Sequence, residues 1–312
     1  MFQRMFYAAF AAIALVGCNE KNIKPVEVPS GDKVQLTVNL PENLTKLTGV
    51  PTDSKINDVQ IFVFDRNGLY ETSSHGNAST ISLTCTTGEK HLVALVNAPL
   101  EESVSNLEDL RSRTSDLSSC SAGNLVMSGE TPVELTASTT VTMEVTRLAA
   151  KVALESVVTA FENEVHRNLP FEVKAVYLVN VAGDRSYLKG NAPTKWYNKG
   201  AYMPQSSLDF LYDAVTAGQI TSGGNYSAGH FFYCYPNSTT TKTRLVVETQ
   251  IGGYTYYYPV TLDSVTPNTA YTYNLTITRL GSDSPNEPVA DGAVSVTLTV
   301  KDWTECEVNE TI

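Results

Sequence analysis

Residues 139–158 read TTVTMEVTRLAAKVALESVV, and the fold turns on how the apolar positions fall within them. Val141, Met143 and Val145 occupy odd positions, Ala150, Val152 and Leu154 occupy even ones, and Arg147 stands between the two sets. Side chains of a strand alternate between its faces, so this change of phase means that the chain presents its other face to a core. A bulge within one sheet would do this. Passage of the chain from one β-sandwich to another would do it too. Arg147 falls near the middle of 312 residues, so the second reading is preferred and a domain boundary is placed there.

Alternation of the same kind runs outward on both sides. Val34, Leu36, Val38 and Leu40 alternate with polar residues, a half-buried strand. Asp58–Asp65 (DVQIFVFD) is a second strand, closed by an Arg66-Asn67-Gly68 turn. Thr80–Thr86, His91–Asn97 and Pro132–Ala137 follow, and the continuous run Leu92–Val96 predicts a strand buried on both faces. Ser103–Arg113 has apolar residues at 104, 107 and 110 and predicts one short helix. Beyond Arg147, strands are predicted at Phe171–Ala182, Gly229–Tyr235 and Ala270–Arg279, with a hairpin of Thr243–Gln250 and Tyr254–Leu262 about Gly252-Gly253. Ser206–Ala217 predicts a second helix, capped by Ser206 or Ser207. Gly281–Asp291 is a polar linker, and after it Val294, Val296, Leu298 and Val300 alternate with Ser and Thr. The fold class is therefore all-β, with one short helix per domain.

Composition agrees. Tyr (16) outnumbers Phe (10) and Trp (2), and the hydrophobic share of 42% suffices for packed cores. Asp plus Glu (33) exceed Lys plus Arg (22), a net charge of -11, which gives no electrostatic footprint for nucleic acid. The four His share no ligand spacing, and no HExxH, G-x-S-x-G, Walker or GxGxxG motif occurs, so no cofactor, metal or enzyme activity is expected.

The first residues read as an address. Arg4 precedes the apolar run Phe6–Val16, which is too short to cross a bilayer needing about 20 residues. It fits the core of an export signal. Leu15-Val16-Gly17-Cys18 resembles a bacterial lipobox, with residues 1–17 removed and Cys18 lipidated. Export permits disulfides. Cys85, Cys120, Cys234 and Cys306 then allow three connectivities. Two cysteines fall in each half, which favours Cys85–Cys120 and Cys234–Cys306.

Taken in order, the lipobox, VQLTVNL, DVQIFVFDRNG, HLVALVNAP, TRLAAKVAL, AYTYNLTITRLG and a terminal strand ending in KDW resemble the fimbrillin family of Bacteroidales, the lipoprotein-derived pilins of type V pili. The resemblance implies two tandem transthyretin-like β-sandwich domains, here residues 33–146 and 147–280, after a tether of 18–32 and before a linker and terminal strand of 281–312. It implies an outer-membrane lipoprotein precursor that matures into a fimbrium on the cell surface and supports adhesion. Its partners would be other pilin subunits, joined by β-strand complementation, together with a host protein or glycan. It further implies cleavage by an Arg/Lys-directed protease in the loop after the first strand. Here that loop is Pro41–Asn57, with Lys46 or Lys55 as the cut, where the family commonly has Arg. Loss of Val34–Leu40 would open a groove for a neighbour's terminal segment carrying Val294, Val296, Leu298 and Val300. Extended at ~3.3 Å per residue, the linker could reach about 35 Å.

Two alternatives stay open on the residues themselves. The terminal strand could be the last strand of its own sandwich, especially if Cys306 holds it there. The protein could also be a monomeric surface lipoprotein that binds glycans, for which Tyr254, Tyr256, Tyr257 and Tyr258, the Trp196-Tyr197 pair and the loop Gly223–Ser227 are the tempting features, each read more simply as strand or turn.

Overall fold

The structure is a computed structural model that describes residues 31–41, 51–220, 224–227, 229–289 and 293–302. Cys18, Lys46 and Cys306 lie outside the described residues.

The first half contains β1 (Lys33–Asn39), β2 (Val59–Asp65), β3 (Tyr70–Gly76), β4 (Thr80–Thr86), β5 (Gly88–Val96), α1 (Leu107–Ser112), β6 (Thr114–Asp116), β7 (Met127–Leu135), β8 (Thr139–Thr142) and β9 (Thr146–Arg147). A sheet of order β4-β1-β8 faces one of order β3-β2-β5-β7-β9. Between them lies a first core that includes Leu36, Val38, Ile61, Val63, Leu83, Leu92, Ala94 and Met143.

The second half contains β10 (Ala150–Thr159), α2 (Glu164–Arg167), β11 (Phe171–Val179), β12 (Val181–Ala182), β13 (Asp184–Ser186), β14 (Trp196–Tyr197), β15 (Tyr212–Ala214), β16 (Gln219–Ile220), β17 (Asn225–Tyr226), β18 (His230–Cys234), β19 (Arg244–Ile251), β20 (Tyr254–Thr261), β21 (Thr269–Ile277) and β22 (Val294–Asp302). One sheet runs β17-β10-β21-β22 with β18 also on β10, and the other runs β15-β11-β19-β20 with β16 also on β11. Val152, Val176, Leu178, Val247, Tyr273 and Ile277 meet in the second core.

The phase change at 139–158 is a change of core. Met143 and Val145 belong to the first, and Leu148, Ala150, Val152 and Leu154 to the second. The second core also takes Phe62, Phe64, Val93 and Leu95 from the outer face of β2 and β5, together with Leu107 and Leu110 of α1. That is why Leu92–Val96 is apolar without alternation: β5 is buried on both faces. At the predicted hairpin, Gly252 and Gly253 have φ of 59° and 92°, values that side chains rarely tolerate.

Several expectations need correction. Residues 206–217 form no helix. A single 3-10 turn at Asp209–Leu211 leads into β15, and Leu208 at its start supplies no capping side chain. Tyr212 pairs with Tyr177 of β11 and stacks on Tyr202 with ring centroids 3.8 Å apart. Aromatic packing on the sheet thus overrides a local capping signal. The first helix is shorter than predicted, because Asn106 caps it by accepting from the Asp109 amide at 2.8 Å. Cys85 and Cys120 are free, buried and in different cores, so the pairing favoured on sequence does not form. The Cys120 thiol lies 3.6 Å from the Tyr235 hydroxyl instead. Cys234 is also free, and burial pushes its thiol up to about 12.

Candidate strand-exchange site

β1 is the middle strand of its sheet. It pairs antiparallel with β4 over Lys33–Asn39 and parallel with β8 over Leu36–Asn39. Its alternate side chains Leu36, Val38 and Leu40 are no more than 1% exposed and Val34 is 9% exposed. At roughly 1.5–3 kcal/mol for each buried aliphatic side chain, the four contribute about 6–12 kcal/mol before entropy is subtracted. Beyond β1, the Leu40 amide still donates to the Ser79 carbonyl at 2.8 Å. Without β1, two strand edges and an apolar floor would stand open.

The connection after β1 returns at a 3-10 turn, Pro51–Ser54, and is clamped there. Asp53 is 3% exposed. Its Oδ2 lies 3.1 Å from Lys151 Nζ on β10, and its Oδ1 accepts from the Tyr233 hydroxyl on β18. Arg147 Nε donates to the Asp53 carbonyl at 2.9 Å, while its guanidinium also donates to Asn268 Oδ1 at 2.8 Å. Burial lowers Arg147 to about 10, and the nearby Asp53 charge opposes the shift. Lys151 also sits over the Phe231 ring at 4.6 Å. A segment of the first half is thereby fixed by polar groups of the second.

Lys55 follows directly. Its side chain is exposed, but its carbonyl accepts from Asn97 Nδ2 at 2.8 Å. Asn97 Oδ1 accepts in turn from the Asn57 amide at 2.8 Å. A protease would have to lift this backbone to cut after Lys55.

β22 lies at the edge of its sheet, paired with β21 from Ile277↔Val294 to Thr269↔Asp302. By register its apolar side chains share a face with Tyr271, Tyr273, Leu275 and Ile277, and Val294 packs against the second core while the other three do not. Val296, Leu298 and Val300 are 39%, 46% and 53% exposed. With Val260, Tyr271 and Tyr273 they line an open groove of about 550 Å³. The linker is tied down at two points before β22. Ser282 bridges the Tyr257 backbone in both directions, and Asn286 Oδ1 accepts from Asn180 Nδ2 at 2.7 Å.

The tyrosines of β20 make no single platform. Tyr258 is buried and donates to the Arg279 carbonyl at 2.8 Å, Tyr256 packs on the second core, Tyr257 on the Tyr177 cluster, and Tyr254 is 73% exposed. Trp196 and Tyr197 form the short strand β14, and the Tyr197 hydroxyl donates to Asp116 at 2.8 Å. Gly223 lies outside the described residues, while Tyr226 hydrogen-bonds His230 at 2.7 Å. Among the described residues, no three His, Cys, Asp or Glu gather as for a metal.

Sequence reasoning missed the Asp116 junction. β6 of the first half pairs with β13 of the second through Asp116↔Asp184 and Ser115↔Arg185. Burial alone would raise the Asp116 carboxyl. Hydrogen bonds from Lys195, the Ser118 amide and Tyr197 outweigh it and hold the group down at about 2, against an ordinary 3.8. A lowered carboxyl stabilises the fold above its unfolded value, and that contribution is lost as pH falls from about 4 through about 2. We expect Asp116→Asn to lower the urea midpoint at neutral pH and to converge with the wild type near pH 2. Parallel curves at every pH would show that the charge at Asp116 contributes nothing.

Two face-to-face sheets, an enclosed central strand and a half-packed edge strand define a β-sandwich protein. Residues 34–174 match the family model of the major fimbrial subunit protein (FimA), a match that bears out the Bacteroidales fimbrillin resemblance. The family consists of structural fimbrial subunits rather than enzymes. No curated protein matches the sequence. Solved structures agree on the fold. A "putative cell adhesion protein" of Bacteroides eggerthii is 23% identical, with a TM-score of 0.71 over 89% of this chain and 98% of that one. A fimbrilin of Porphyromonas gingivalis is 18% identical, with a TM-score of 0.64 over 86% and 97%. The tip fimbrial protein Mfa3 of the same organism, with a C-terminal truncation, is 13% identical, with a TM-score of 0.54 over 87% and 100%.

Proposed function

We propose that this chain is a fimbrial shaft, tip or accessory subunit, exported as an outer-membrane lipoprotein through Cys18 and assembled by protease-triggered strand exchange. Two domains meeting near Arg147 would form each subunit. Cleavage after Lys46 would release Val34–Leu40, and the Val294–Val300 strand of a neighbour would take its place.

One observation carries this reading. β1 and β22 have the same pattern, four aliphatic residues at alternate positions (VQLTVNL and VSVTLTV), yet β1 is enclosed and β22 is half bare. Moving Val296, Leu298 and Val300 from about half exposure to the enclosed positions of β1 would add about 2–4 kcal/mol of burial. New ladder hydrogen bonds would set the register.

Low-dose trypsin on the lipid-free precursor tests the reading. The expected result is a new N-terminus at Leu47 and an SDS-resistant ladder. Cleavage without a ladder would point to a capping or tip subunit. A chain that resists cleavage at 41–57 and stays monomeric would remove the strand-exchange reading.

A further inference from the structure

We propose that a cleft around Arg185 binds the carboxylate or sulfate ester of an acidic saccharide. The cleft has a volume of about 490 Å³ and lies between the Gly190–Ala192 turn, the Pro236–Ser238 turn and the Asp263–Val265 loop. That is in the size range of small-ligand sites. None of its lining residues lies on β1 or β22, although it shares Asp263 and Ser264 with the groove beside β22.

Arg185 is the reason to expect an anion there. It stands on β13, where pairing with β6 fixes its backbone. Its Nε is buried with no partner, and its guanidinium makes no hydrogen bond or ion pair among the described residues. Both carboxylates nearby in the strand pair are committed elsewhere. Asp184 accepts from the Thr194 amide and hydroxyl and from the Lys195 amide, at 2.7–2.9 Å. Asp116 accepts from Lys195, Tyr197 and Ser118. The side chain is only partly buried, so the terminal nitrogens of this guanidinium, with no protein carboxylate across from them, remain available to an anion from outside.

Lys242 supplies a second positive charge in the same cleft, and the only described hydrogen bond of its ammonium goes to the Asp263 carbonyl at 3.5 Å. The Asp263 carboxylate, on the rim, is exposed and pairs with neither cation. The guanidinium fork takes two oxygens of one carboxylate or sulfate, and the ammonium adds a point charge. The remaining lining suits a sugar ring. Ser238 and Ser264 present hydroxyls, and Pro236 and Val265 offer a small apolar wall for the CH face of a pyranose.

Calorimetric titration of the full chain tests this with glucuronic acid, glucose 6-sulfate, glucose and sodium sulfate. Binding of at least one acidic sugar is expected, weakening with added salt, with no heat from glucose. Preference between the two acids identifies the carboxylate or the sulfate ester as the anion. Arg185→Gln should weaken binding at least about tenfold, and Lys242→Gln about threefold, the difference between a bidentate and a single contact. If Arg185→Gln fails to fold by circular dichroism, Arg185→Lys and Lys242→Gln carry the test. The proposal is overturned if neither acid binds, if the variants bind like the wild type, or if inorganic sulfate or glucose binds as tightly as the acidic sugars. None of these outcomes depends on cleavage or polymerisation.

Discussion

Asp53→Ala will destabilise the chain by about 3–5 kcal/mol, the usual consequence of removing one member of a buried ion pair. The size follows from what shares the carboxylate. Lys151 Nζ lies 3.1 Å from Oδ2, the Tyr233 hydroxyl donates to Oδ1, and both partners are buried. Alanine removes the acceptor and the charge together. Asp53→Asn keeps an acceptor and the volume but loses the charge, so a smaller loss of about 1.5–3 kcal/mol is expected. Urea denaturation measures both, and an unchanged m-value would place the effect in the native state. The substitution should act locally as well. Arg147 reaches the backbone of the same residue, so once the carboxylate is gone the 51–57 segment loses part of its attachment to the second half and Lys55 should become the faster tryptic site. A variant as stable as the wild type, with Lys55 still protected, would show that the clamp contributes nothing. In the proposed assembly the clamp has a role. It holds the chain beyond Lys46 in place, so that cleavage frees β1 without unravelling the sandwich that must receive a new strand.

Much of this arrangement was legible from alternation alone, because a strand with one buried face writes that face into every second residue. β1, β2, β4, β19, β20 and β21 were placed within a residue or two for this reason. The change of core across Arg147 was readable because it inverts the alternation. β3 was not, since Tyr70–Gly76 is half exposed along its length and buries no regular face. The false helix at 206–217 arose because Ser206 or Ser207 reads as an N-cap, whereas Tyr212 is held on the sheet by Tyr177 and Tyr202, which no local pattern announces. The Asp53 clamp and the Arg185 cleft were illegible for a related reason. Each gathers residues from segments up to 180 positions apart, and a single buried charge has no periodicity. Cysteine counting failed because parity says nothing about which core each thiol faces, and Cys85 and Cys120 face different ones.

Leu36→Ala and Leu298→Ala should have opposite signatures in the monomer and in the polymer. In the monomer Leu36 is fully buried and Leu298 is 46% exposed. Removing the first leaves a cavity in a closed core and should cost about 3–5 kcal/mol. Removing the second takes away a side chain that water already reaches, and should cost no more than about 1 kcal/mol. Strand exchange reverses the order. In the proposed assembly β1 would be gone after cleavage, so Leu36 would no longer contribute, while Leu298 would occupy an enclosed position between β4 and β8 of the next subunit. Alanine there should cost the polymer what it cost β1 in the precursor, and the ladder should melt at markedly lower SDS or temperature. Measuring precursor unfolding and polymer dissociation on the same two variants separates the two fates of the terminal strand without a structure of the fibre. If Leu298→Ala weakens neither state, β22 is an ordinary edge strand that stays with β21, and the donor must be sought elsewhere in the chain.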